Sequence, residues 1–97
     1  MATYVHLLAF TEQGLRNIKD SVKRAEAAKQ AAAQVGVAFK EIIWTQGQYD
    51  MIVISEAADE IVANAFLLNL LKAGNLRSQT LRGFTATEME QVLEKVV

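Results

Sequence analysis

Cysteine and proline are both absent from the 97 residues, and histidine occurs once, at His6. Without cysteine the chain has no disulfide, no thiolate metal ligand and no thiol nucleophile. A single histidine also leaves no paired imidazoles on which to build a zinc site, so no metal is expected. Neither sign of charge dominates: 10 Lys and Arg stand against 11 Asp and Glu, a net charge of −1. No basic field exists to hold a nucleic acid. No apolar run approaches the roughly 18 residues of a membrane span. The opening Met1-Ala2-Thr3-Tyr4 lacks the basic and apolar regions of a secretory signal. The expectation is a cytoplasmic protein with neither nucleic acid nor membrane among its partners.

What the chain does have is apolar surface. Hydrophobic residues make up 52% of a sequence long enough for one domain, residues 1–97, with a modest core. That excess points to apolar surface reserved for a partner. It is densest in Phe39-Lys40-Glu41-Ile42-Ile43-Trp44 and Met51-Ile52-Val53-Ile54, two runs on either side of Gln46-Gly47-Gln48. The pattern predicts a β-hairpin, with Gly47 supplying the positive φ of its turn. With a two-residue loop, Phe39, Ile43, Ile52 and Ile54 share one face and Ile42, Trp44, Met51 and Val53 the other. A strand apolar on both faces has to be covered on both.

Alternation over Thr3–Phe10 predicts a strand before this hairpin. Thr11 is placed to cap a helix reaching Val35, with Leu15, Ile18, Val22, Ala25, Ala28, Ala32 and Val35 as its apolar stripe. Acidic residues at Glu56, Asp59 and Glu60 suit the positive end of a second helix, Ile61–Ala73. That helix is apolar nearly all round, and Ile61, Ala65, Leu68 and Leu71 are read as its core stripe. A strand over Leu76–Phe84 and a short helix over Glu88–Val96, capped by Thr85 or Thr87, complete the chain. The order β-α-β-β-α-β-α predicts an α+β, ferredoxin-like antiparallel sheet with both crossover helices on one face. The other face, expected to carry Trp44 and aliphatic residues, is left for a second sheet to close over.

Polar residues on these strands are few and chemically diverse. His6 is suited to general acid/base work by a pKa near neutrality; as a satisfied core or interface histidine it would do nothing chemical. Asp50, beside Tyr49, is either a second acid/base group or a turn-forming carboxylate. Trp44 is either wall or stacking surface. Ser78, Thr80 and Arg82 share one face of the last strand, where Arg82 would need a carboxylate, with Asp50 as one candidate, or an anionic ligand if enclosed. Trp44, Tyr49, Thr80 and Arg82 are the candidate ligand-binding residues, His6 and Asp50 the candidate catalytic ones. Gly14 stands alone and makes no phosphate loop.

Three stretches together resemble the GYD-domain family: Thr11 through Ser21, Trp44-Thr-Gln-Gly47-Gln-Tyr49-Asp50 and Gly74 through Phe84. The family is named for Gly-x-Tyr-Asp, here Gly47, Tyr49 and Asp50, and the resemblance spans nearly the whole chain. Val22 departs from it, since Pro often follows the Ser. The resemblance implies a fold like that of the dimeric α+β barrel proteins, with the chain as its own partner in a homodimer or larger assembly. It implies no established activity. The inventory allows a small-molecule-binding protein, with Arg82 holding an anion and cofactor-free acid/base chemistry at His6 or Asp50. The rival readings are a ligand-sensing module without catalysis and a purely structural oligomerisation domain.

Overall fold

The structure, a computed structural model, describes residues 1–97. Four strands, β1 (Ala2–Phe10), β2 (Val37–Trp44), β3 (Met51–Ala57) and β4 (Leu76–Gly83), form one antiparallel sheet in the order β2-β3-β1-β4. This is the ferredoxin-like order, with β3 and β1 at the centre and the mostly polar β4 at one edge. Helices α2 (Ser21–Gln34) and α3 (Glu60–Leu71) both lie over one face of the sheet.

The first helical stretch is broken where a continuous helix was expected. Helix α1 covers only Glu12–Arg16, capped by the Thr11 side chain, which accepts from Gly14 N–H at 3.1 Å. A single 3₁₀ turn, Ile18–Asp20, then precedes α2. Asn17 causes the break: its amide donates to the Gln13 carbonyl at 3.1 Å, competing with the helical ladder, while Arg24 donates to the Asn17 carbonyl at 2.8 Å. In consequence Leu15, Ile18 and Val22 are exposed, and the apolar residues that α2 packs toward the sheet are small ones such as Ala25, Ala28 and Ala32.

Two further expectations are corrected. Helix α3 turns Ala63, Phe66, Leu67, Leu70 and Leu71 inward, whereas Ile61 (82% exposed) and Leu68 (56%) face outward. The Asp59 side chain accepts from Ile61 and Val62 N–H and so sets the first turn, which an all-round apolar sequence does not specify. In β2 a bulge between Phe39 and Glu41 shifts the register, so Phe39 opposes Ser55 while Ile42 opposes Val53. Phe39 thereby joins Ile42 and Trp44 on the helix-covered face. Trp44 is therefore not on the bare face; its Nε1–H donates to Ser21 Oγ at 2.9 Å.

The hairpin loop is longer than two residues. It spans Thr45–Asp50, closed by Thr45 N–H donating to the Asp50 carbonyl at 2.8 Å, with Gly47 at φ +114°. The left-handed φ restricts this position to glycine at low cost. Helix α4 (Ala86–Glu94) begins with a capping box between Thr85 and Glu88, and its Val92 and Leu93 remain exposed.

Only 11 of the 97 residues are buried, which makes the core small for this length. It divides into Leu8, Phe10, Met51 and Val53 near one end of the sheet and Ala32, Val37 and Ala57 near the other. Phe39 touches both and meets Phe66 edge-on, ring centroids 6.1 Å apart. The opposite face of the sheet carries Val5, Leu7, Ile52 and Ile54 at its centre, with Leu81 and Ile43 beside them. No helix of the chain is long and apolar enough to cross a membrane.

Candidate functional site

Small side chains on α2 and the inward turn of α3 leave a chamber of about 390 Å³ between helices and sheet. Leu8, Phe10, Phe39, Ile42, Met51 and Val53 form much of its floor, and Ala25, Ala28, Phe66, Leu67 and Leu70 much of its roof. No Asp, Glu or Lys lines it. Arg24 is the one lining residue with a fixed charge, and its guanidinium donates to the Asn17 carbonyl.

The chemistry of the floor centres on His6 and Ser55, adjacent because β1 and β3 pair with His6 opposite Val53 and Tyr4 opposite Ser55. Ser55, 1% exposed, places its Oγ 2.8 Å from His6 Nε2. On the other side Thr80 Oγ1 lies 2.9 Å from Nδ1, and Ser78 Oγ lies 2.8 Å from Thr80 Oγ1. Both imidazole nitrogens thus meet hydroxyls, which donate or accept, and neither meets a carboxylate. The Tyr4 ring stacks beside the imidazole, centroids 6.3 Å apart.

Burial holds the His6 pKa below its ordinary 6.5, because desolvation disfavours the cation. At neutral pH His6 is therefore a neutral acid/base group. The effect on stability has a definite sign. Above pH 6.5 both folded and unfolded chains carry neutral imidazole, and the stabilising contribution is complete. As pH falls below that value the unfolded chain takes up a proton that the fold refuses. Stability then declines by at most about 1.4 kcal/mol per pH unit, until the folded pKa is passed. Urea midpoints measured from pH 7.5 to 5.5 (roughly the histidine range) should fall for the native protein relative to His6→Gln; parallel curves would contradict this.

Of the residues singled out from sequence, the fold brings together His6 and Thr80. Trp44 lies off the chamber but holds Ser21, which lines it. Tyr49 donates from its hydroxyl to Gln79, away from His6. Asp50 secures the hairpin, its carboxylate accepting from Phe10 N–H at 2.8 Å. Arg82 also lies outside the chamber. It sits over the rings of Phe84 and Tyr4, 4.6 and 5.9 Å from their centroids, donates to the Gly83 carbonyl and faces Glu88 at 3.9 Å. Asp50 is at the opposite end of β1 from Arg82. Ser55 was missed. Its signal was a hydroxyl in the inward phase set by Met51 and Val53, where an aliphatic side chain was due.

Fold and site together define a ferredoxin-like α+β domain with an apolar chamber beneath its helices, its floor holding a half-buried histidine paired with a buried serine. The chain belongs to the GYD domain family, which it matches over residues 4–93. Neither the curated proteins nor the solved structures include a match to it.

Proposed function

We propose that this protein is a homo-oligomer that binds a small, uncharged, largely apolar molecule in the chamber, with His6 as its acid/base group and no cofactor. The observation that carries this reading is the chamber's composition: an apolar wall with a neutral imidazole and a buried hydroxyl converging on one spot. Ligand sites are built this way, with a few fixed polar groups giving orientation inside a hydrophobic enclosure. The lining has no carboxylate, and its single fixed charge, Arg24, donates to the Asn17 carbonyl, so most of the wall suits an uncharged molecule. The apolar outer face of the sheet supports the oligomeric part of the proposal, and also the rival reading of a domain whose role is assembly.

The neutral naphthylamine dye N-phenyl-1-naphthylamine provides the test, read by its own fluorescence and by that of Trp44. Saturable binding is expected, and Ala28→Phe, which fills the roof of the chamber, should weaken it by about tenfold or more. Absence of saturable binding to the native protein, or undiminished binding to a folded Ala28→Phe variant, would overturn the reading.

A further inference from the structure

The Ser55–His6–Thr80–Ser78 chain has two ends in different surroundings. Ser55 and His6 line the chamber, whereas Thr80 is exposed on the edge strand β4 and neither it nor Ser78 lines the chamber. The chain's links measure 2.8, 2.9 and 2.8 Å from Ser55 to Ser78. We propose that these four side chains form a proton relay through which the bound molecule, by donating to Ser55 or accepting from it, sets the tautomer of His6, the protons exchanging with solvent at the sheet edge.

The relay rests on the chamber being the ligand site. Two arrangements of the hydrogens satisfy the links. In the first, Ser55 O–H donates to Nε2, Nδ1–H donates to Thr80, Thr80 O–H donates to Ser78, and Ser78 O–H donates to water. Ser55 Oγ then has a lone pair free to accept from a ligand hydroxyl. In the second, Ser78 donates to Thr80, Thr80 to Nδ1 and Nε2–H to Ser55, whose own O–H is free to donate to a ligand carbonyl oxygen. Passing from first to second moves five protons one step each: from a water resting on Ser55 to Ser55, Ser55 to Nε2, Nδ1 to Thr80, Thr80 to Ser78, Ser78 to water. One water loses a proton and another gains one, the two recombine in solvent, and both ligand and imidazole end neutral.

This arrangement explains why a half-buried histidine is flanked by hydroxyls. A carboxylate on Nδ1 would fix one tautomer and favour the cation, whereas a hydroxyl permits both tautomers and stabilises neither charge. Ser55 and Thr80 are positioning residues in the unliganded protein, and Ser55 becomes the contact to ligand. The class of ligand follows: an apolar molecule with a single hydroxyl or carbonyl, the two functional groups selecting opposite tautomers.

His6 is the only histidine, so one ¹⁵N-labelled imidazole reports the tautomer directly in long-range ¹H–¹⁵N spectra at pH 7.5 (about a unit above the ordinary histidine pKa). In the unliganded protein each variant removes one hydrogen bond from both tautomers, but a stranded N–H costs more than a stranded lone pair. Thr80→Val should therefore shift the ratio toward Nε2–H and Ser55→Ala toward Nδ1–H, each by about fivefold. If both folded variants keep the native ratio, the relay is wrong. A second measurement adds 1-decanol or 2-decanone. Decanol should favour Nδ1–H and decanone Nε2–H in the native protein, and neither should act in Ser55→Ala, which lacks the contact to ligand. Binding of both without movement of the tautomer overturns the relay alone. Failure of either to bind counts against the chamber as ligand site, while the relay still stands or falls on the two variants.

Discussion

Gly14→Ala is expected to destabilise the protein by about 2–3 kcal/mol, a loss of roughly 10–20 °C in melting temperature. The sign is opposite to what helix propensity gives, since Ala in place of a helical Gly ordinarily stabilises by about 0.8–1 kcal/mol. What reverses it is the α3–β4 turn pressed against α1. Thr11 N–H donates to the Asn75 carbonyl at 3.1 Å, Gln13 donates to the Ala73 carbonyl at 2.9 Å, and the Thr11 hydroxyl donates to the Gly74 carbonyl. A Cβ on Gly14 would stand 2.1 Å from the Asn75 carbonyl oxygen, which is backbone and cannot rotate away. Relief requires α1 to lift from the turn and release those bonds. Calorimetry of Gly14→Ala beside Arg16→Ala is the measurement. The latter removes only an exposed ion pair to Glu12 and should stay within about 0.5 kcal/mol of the native protein. A Gly14→Ala protein that melts with the native one would show that the turn does not bear on α1 in solution.

Ile54→Lys is expected to convert the assembly into single chains without unfolding them. Ile54 pairs with Val5 in β1 and Glu41 in β2, in the middle of the sheet face that no helix covers. Around it Val5, Leu7 and Ile52 are half-exposed, Ile43 is 48% and Leu81 42% exposed, and polar Arg77, Gln79 and Glu41 lie at the margins. An apolar centre with a polar margin is the composition of an interface core and rim. In the isolated chain a lysine at this position keeps its ammonium in water, so folding is little affected. In a two-fold assembly through this face the substitution enters twice, bringing two desolvated like charges together at a cost of several kcal/mol. Light scattering at micromolar concentration should give the mass of two or more chains for the native protein and of one chain for Ile54→Lys. A native protein of single-chain mass would remove the oligomer from the proposed function.

The sequence announced those parts of the fold that depend on neighbouring residues. Thr11 and Thr85 cap helices as their side chains suggest, and β1 and β4 fall where alternation puts them. The element order then leaves little choice of sheet topology. Harder to read were features decided by one residue's competition with a regular pattern, such as Asn17 interrupting the helix and Lys40 bulging from β2. The bulge alone moved Phe39 to the other face and spoiled the expected sorting of the hairpin. Helix α3 concealed its orientation for a different reason: with apolar residues on every side, periodicity carries no phase.

The site was legible only as scattered pieces. His6 stood out because it is unique and lies in an apolar strand, and Thr80 because it shares a face of the last strand with Ser78 and Arg82. Their meeting with Ser55 depends on the registers of β1 with both β3 and β4, which no local pattern encodes. Arg82 drew notice as a charge on a strand, but Glu88 of the capping box and the rings of Tyr4 and Phe84 surround it instead of a ligand cavity.

The empty space between α2, α3 and the sheet bears on the life of the protein in a cell. Few residues are fully packed, and if the chamber is a ligand site as proposed, its occupant completes the interior. An occupant present at 100 times its dissociation constant adds about 2.7 kcal/mol to the stability of the fold. That is a large fraction of what a small domain has. Vacant chains open more often, and proteases remove chains in proportion to the population of the open state. The steady-state amount of the protein would then rise and fall with the supply of its ligand, with no change in the rate of its synthesis.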